Sequence, residues 1–114
     1  MARTRIKASP EVTLGGANVF ADLGFPDADD RQTKLRLAFA LNEALKERRV
    51  TQVEAASILG LNQPKISALL SYKLDGFSVE RLMTLLTALD RDIEIVVKRK
   101  VRSRTPARIT VITA

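Results

Sequence analysis

Apolar residues recur as Leu35, Ala38, Leu41 and Leu45, at steps of three and four that line one face of a helix. The acids of "PDADD" before them suit a helix N-terminus, and the bases of "KERR", Lys46 to Arg49, suit its end. Two shorter helical patterns follow, over about 52–59 and 63–72. In "LDGF", Gly76 is placed to take a positive φ angle in a turn. Ser78 is then placed to cap a helix reaching about Leu89, with Val79, Leu82, Leu85 and Leu86 inward.

Beyond residue 90 the period changes from helical to alternating. In "DIEIVVKRKV", Ile93, Ile95 and Val97 alternate with Glu94, Val96 and Lys98, which predicts a strand. "RITVIT", with Ile109 and Val111 on one side, is a second candidate. A lone strand leaves its edge unpaired. It could pair with "RITVIT", with its copy in a second subunit, or with a strand of another protein. The pattern divides the chain into an N-terminal arm (1–25), a helical domain (26–90) and a C-terminal β extension with a basic tail (91–114). Phe20 and Phe25 are expected to anchor the arm on the core.

With 114 residues, of which 46% are hydrophobic and 28% charged, the chain fits one globular domain with a modest core. Cysteine and histidine are both absent, which removes disulfides, thiolate nucleophiles, the usual zinc ligand sets and histidine acid–base chemistry. No Gly-rich phosphate loop or nucleophile elbow is visible. An enzyme is not expected, nor is a cofactor. There is no apolar run of membrane-spanning length and no secretory h-region, so a cytoplasmic location is expected.

The net charge of +6 points to a polyanionic partner. The charge is patterned: "DLGFPDADD" (22–30) is acidic, while "KRKVRSRTPAR" (98–108) has six bases and no acid. Such a run either tracks phosphates or only keeps the tail solvated, and solvated runs are the commoner case.

The most informative stretch is "TQVEAASILGLNQPKISALLS", residues 51 to 71. Thr51 and Glu54 form a capping box, T-x-x-E. Val53, Ala56 and Leu59 make the expected inner face, and Ala56 is small where another helix must cross. Gly60 stands where the backbone needs an unhindered turn. Leu61 can plug the corner and Asn62 can cap the next helix, whose first turn tolerates Pro64. Ile66, Leu69 and Leu70 face inward, leaving Gln63, Ser67 and Ser71 as a polar strip with Lys65 at its flank. Neither helix is long enough to be stable alone. Packed on their neighbours, they aim one short helix outward, the arrangement by which a helix-turn-helix enters a DNA major groove.

This stretch resembles the Cro/repressor-type helix-turn-helix of the XRE family: Gln52 opens it, Ala56 follows four residues on, Gly60 makes the turn and Ile66 lies six beyond. Residues 18–98, including "QPKISALL", "GFSVERL" and "LDRDIEIVV", resemble the HigA-like antitoxin branch of that family. The resemblance implies a lambda-repressor-like bundle of four to five helices with a short C-terminal β-strand or hairpin. It implies a homodimeric repressor of bacterial operons that binds palindromic double-stranded DNA. It also implies a RelE/HigB-type toxin as partner, and association with the nucleoid. Residues 99–114 depart from the family pattern. The alternatives are a stand-alone or phage-type regulator without a toxin, and a protein-interaction module that has lost DNA binding.

Gln63 is the leading base contact, since its amide can pair with adenine through two hydrogen bonds. Ser67 can reach either bases or phosphates, and Pro64 and Ala68 offer apolar contact to a thymine methyl. Thr51, Gln52, Lys65, Ser71, Tyr72 and Lys73 are the expected phosphate contacts. For Lys65 a guanine is an alternative target. Ala56, Gly60 and Ile66 carry the geometry of the turn. Without the turn signature, Gln63, Ser67 and Ser71 would read simply as a solvated face.

Overall fold

The computed structural model describes residues 28–102, 104 and 106–114. The N-terminal arm, with Phe20 and Phe25, lies outside the described residues. Four helices follow in order: α1 (Ala28–Arg48), α2 (Gln52–Leu59), α3 (Gln63–Leu70) and α4 (Val79–Ala88). α1 packs chiefly on α4, and α2 chiefly on α3, with α3 also seated on α1.

α1 carries the expected charges at its ends, Asp29 and Asp30 in the first turn and Lys46 and Arg48 in the last. Lys34 pairs with Asp30 one turn away at 3.2 Å. The buried stripe of α1 is Leu37, Ala38, Leu41, Ala44 and Leu45. Leu35, expected on that face, is only half-buried. At about 100° per residue it lies roughly 120° from the centre of the stripe, so it sits on the flank. Leu82, Leu85, Leu86 and Leu89 of the α4 region close the core from the other side, with Val79 half-buried. At the far end of α1, Arg48 pairs with Asp90 at 2.9 Å and Glu47 with Arg91, which ties the two long helices together beyond the apolar core.

α2 corrects a second expectation. Ala55 and Leu59 are its buried residues, while Val53 is 72% exposed and Ala56 half-buried. Ala55 and Leu59 are one helical turn apart, and Val53 lies about 200° from Ala55, which turns it to solvent. Gly76 is a third correction, because Gly60 is the only described glycine with positive φ. Besides Gly60, the left-handed positions fall on Arg49 (φ 54°), Tyr72 (φ 60°) and Asp90 (φ 61°), just past the ends of α1, α3 and α4.

No strand forms among the described residues, so neither the strand at 93–97 nor the hairpin with "RITVIT" is present in the single chain. The second segment is pulled elsewhere. Val111 is buried in the helical core, and the Arg36 guanidinium donates to its carbonyl at 3.3 Å. Burial together with the positive charge of Arg108 lowers the pKa of Arg36. Ile93 packs against the same core from the outgoing segment. Ile93, Thr113 and Ala114 meet Phe39, Ala40 and Leu86 at a shallow groove of 290 Å³ rimmed by Glu43, Glu47, Arg91 and Asp92.

Candidate nucleic-acid interface

The interface begins at the capping box of α2. The Thr51 hydroxyl accepts from the Glu54 N–H at 3.1 Å, and the Thr51 N–H donates to the Glu54 carboxylate at 2.8 Å. Hydrogen bonds from the Thr51 backbone and then its side chain hold the Glu54 carboxyl below its ordinary pKa, against a smaller opposing effect of desolvation. The box satisfies two backbone N–H groups that the helix leaves without partners and fixes where α2 starts.

α2 ends at Gly60, with φ 65° and ψ 34°. The Leu61 N–H returns to the Ala56 carbonyl at 2.9 Å, and the Leu61 side chain is buried. This pairing of a left-handed residue with a backward bond and an apolar plug satisfies the last carbonyls of the helix. Asn62 then starts α3, its side-chain oxygen accepting from the Lys65 N–H at 2.9 Å. Pro64 falls in the first turn of α3, where a missing N–H costs little. The turn is thus three residues long, and each has a separate task.

Ile66 and Leu69 of α3 are fully buried. Asn42 of α1 donates to the Leu69 carbonyl at 3.2 Å and holds the end of α3 against the bundle, while the buried carbonyl oxygen of the same amide has no partner among the described residues. The opposite face presents Gln63, Pro64, Ser67 and Ser71 to solvent, with Ala68 half-buried beside them. The polar strip expected from the sequence is therefore real, and it runs along the exposed side of a rigidly seated helix.

Two expected contacts are joined directly. The Gln63 amide donates to the Gln52 side-chain oxygen at 2.6 Å, so the first residues of α2 and α3 meet at one corner. An amide has two N–H donors and a carbonyl oxygen. After this bond Gln63 keeps one N–H and its oxygen, which is what two-point pairing with adenine requires. Gln52 thereby orients Gln63 from the place where a phosphate contact was expected.

Lys65 is placed differently from its neighbours. It is half-buried, its ammonium donates to the Gly76 carbonyl at 2.9 Å, and it lies 4.9 Å above the centre of the Phe77 ring. A Cβ at Gly76 would stand 2.6 Å from that ammonium nitrogen, so a side chain there would displace the flexible end of Lys65 from this contact. Lys65 thus clasps α3 to the loop before α4, and Phe77 is the buried platform beneath it. That role is absent from the sequence reading, although "GF" eleven residues after the lysine was a usable signal.

Tyr72 and Lys73 lie exposed just past α3. The Lys73 N–H returns to the Ala68 carbonyl at 2.8 Å, and the Tyr72 N–H to that of Leu69 at 3.2 Å. This is the same closing geometry as at Gly60, with a tyrosine in the left-handed position. Thr51 and Ser71 are also exposed, so all the expected contact residues except Lys65 and Ala68 are exposed to solvent. Val53, next to Gln52, is an exposed apolar neighbour of this corner that the sequence reading turned inward.

No group of acidic side chains among the described residues is arranged to hold a metal ion, and no described helix is long and apolar enough to cross a membrane.

Two short helices joined by a three-residue turn, the second seated on a bundle with a polar outer face, define a helix-turn-helix protein. The chain belongs to the helix-turn-helix domain family, whose pattern matches residues 19–98. A solved structure that bears the name of an XRE family transcriptional regulator is 64% identical to it, with a TM-score of 0.74. That likeness covers 78% of this chain and the whole of the other, so the helix-turn-helix here is of the XRE type. No curated protein matches the chain.

Proposed function

We propose that this protein is a DNA-binding transcriptional regulator that acts as a homodimeric repressor of its own operon. The observation that carries the reading is the Gln52–Gln63 corner at the head of an exposed polar helix face. A solvated face with no binding role does not require an amide pair that fixes one side chain while leaving its pairing edge available. Gln63, Ser67, Pro64 and Ala68 face the bases in this reading. Thr51, Gln52, Ser71, Tyr72 and Lys73 contact phosphates, and Lys65 reaches one only by leaving Gly76. A homodimer with its two recognition helices about 34 Å apart reads a palindrome and gains the base contacts that one module lacks.

The resemblance of residues 18–98 to HigA-like antitoxins supports a finer reading, in which the regulated operon also encodes a RelE/HigB-type toxin that this chain neutralises. The DNA experiment is binding to the chain's own upstream promoter fragment against a scrambled duplex, across salt concentrations. Gln63→Ala is expected to weaken binding to the promoter about 10- to 100-fold, a loss of roughly 1–3 kcal/mol for one base pairing, and to leave the scrambled duplex nearly unaffected. Equal affinity for the two duplexes, lost in parallel with rising salt, would leave only charge attraction and end the operator reading. The toxin reading is tested separately, by co-purification with the product of the adjacent gene; a neighbour that neither binds nor is toxic removes it.

A further inference from the structure

The basic run that begins at Lys98 is fixed on the helical core at both flanks. Ile93 packs there on the way out. Val111 is buried on the way back, with its carbonyl held by Arg36 at 3.3 Å. The bases between are carried on a closed loop and not on a free tail. Closing a loop costs chain entropy, and this one gathers six bases and no acid within residues 98–108. Blocks of like charge repel one another.

The bases of the helices are treated differently. Lys34 pairs with Asp30, Arg48 with Asp90 and Arg91 with Glu47. Lys98, Arg99, Arg102 and Arg108 are all exposed, and none of them forms an ion pair among the described residues. The contrast is sharpest at Arg36, which is half-buried where the loop closes. Burial, and then the positive charge of Arg108, disfavour its charged form. The side chains one turn away on α1, Gln32, Thr33, Phe39 and Ala40, carry no charge to offset this. An anion shared by the two guanidiniums would relieve the repulsion. A guanidinium also presents a fork of donors that fits a phosphate through two parallel bonds.

This surface is separate from the turn. α1 ends at Arg48 and leads to Thr51, the corner where DNA is expected, while Arg36 lies about 18 Å back along the helix axis. We propose that Lys98, Arg99, Arg102 and Arg108, with Arg36 where the loop closes, form a second nucleic-acid surface that takes backbone phosphates without regard to sequence. The inference rests on the DNA-binding reading for its class of ligand, and neither on an operator nor on a dimer. Phosphate contacts position a protein and base contacts specify, so the loop supplies affinity and α3 supplies choice.

The test uses the full chain, the promoter fragment and the scrambled duplex, with affinity measured across salt. Arg99→Gln/Arg102→Gln removes two bases from the loop. Lys34→Gln/Arg81→Gln removes two from the helices, with the same change in net charge. Each phosphate contact contributes about 0.9 to the slope of log affinity against log salt. The loop variant is expected to lower that slope by roughly 2 and to weaken both duplexes about tenfold or more. The helix variant is expected to stay within about twofold of wild type, because salt screens exposed charges that lie away from the DNA. Arg108→Gln is the second arm. It removes a like charge from beside Arg36, so the melting temperature of the free chain is expected not to fall while the scrambled duplex binds less tightly. All these positions except Lys34 are exposed, and unchanged helix content by circular dichroism checks that each variant folds.

Equal losses in the loop and helix variants would leave only the overall charge of the chain and overturn the second surface. A scrambled duplex bound as tightly by the loop variant as by wild type overturns it too. A melting temperature that falls with Arg108→Gln makes that residue structural and removes it from the surface. Failure of the operator reading looks different: wild type then binds both duplexes equally, and the contrast between loop and helix variants still decides the role of the loop. A wild-type chain that binds neither duplex overturns both.

Discussion

The turn region, residues 51–73, and the extension, residues 91–114, are both short, and both contain branched apolar residues, but they complete themselves differently. In the turn region the helix ends are each satisfied by a residue three to five positions away. Glu54 answers Thr51, Leu61 answers Ala56, Lys65 answers Asn62, and Lys73 answers Ala68. In the extension no backbone group of 92–99 is answered by the described chain, and Val97 stands in solvent. The difference is one of range. Local chemistry fixes a helix end wherever it occurs, whereas a strand is fixed only by what lies beside it.

The largest expected effect separates the two regions by core burial. Ile66 is fully buried where α3 meets the bundle, and Val97 is almost fully exposed. Ile66→Ala is expected to cost about 2–5 kcal/mol, from lost transfer energy plus the cavity left behind. Because folded domains have only about 5–15 kcal/mol in hand, the melting temperature should fall by many degrees. Val97→Ala is expected to leave the stability of the monomer within about 0.5 kcal/mol of wild type, as for other surface changes. Thermal denaturation at high dilution compares the two. If Val97→Ala destabilises the dilute chain as much as Ile66→Ala, the extension has an intramolecular partner and the contrast collapses.

A smaller effect sharpens the comparison inside the turn region itself. Gly60 and Tyr72 occupy the same left-handed conformation at the ends of α2 and α3, one with the residue that suits it and one without. Nothing lies within 4 Å of a Cβ placed on Gly60, so Gly60→Ala meets no clash and bears only the backbone cost. That cost is about 1–2 kcal/mol, and Tyr72→Gly should recover a similar or smaller amount. Chemical denaturation midpoints measure both signs. A stabilised Tyr72→Gly that also binds DNA less well would show that the tyrosine is kept at the expense of stability for its phosphate contact. Stabilisation with unchanged binding would leave its strain without a functional reason.

The legibility of the sequence follows the same division. The capping box, Gly60, Asn62 and the buried pair Ile66 and Leu69 were readable because each is a local pattern with one physical solution. Val53 was misplaced because a helix of eight residues offers two overlapping sets of apolar positions, and only packing against the bundle chooses Ala55 and Leu59. A glycine in a turn favours a positive φ on local grounds, but Gly76 does not adopt one, and its neighbour in space, Lys65, is eleven residues away in sequence. The Gln52–Gln63 bond spans the same interval and was missed for the same reason, although both residues had been placed in the site. The strands were legible as composition and illegible as structure, since alternation names a face and not a partner.

The smallest effect concerns the corner where DNA is expected to meet α2. The Glu54 carboxyl is held below its ordinary pKa by the Thr51 N–H and hydroxyl, so the folded state favours its charged form. A group depressed in this way adds stability above its unfolded pKa and loses it as pH falls through the folded value. The contribution is therefore complete at neutral pH and declines below about pH 4, where the unfolded carboxyl begins to take up its proton. Glu54→Gln keeps a side chain able to accept from the Thr51 N–H but cannot titrate, so its stability should be flatter with pH across that window. Denaturation midpoints from pH 7 down to about pH 3 for wild type and variant give the comparison. Parallel curves would mean that the box holds by geometry alone. Converging curves would show that the first turn of α2, and with it the seat of Gln52 against Gln63, is locked partly by charge.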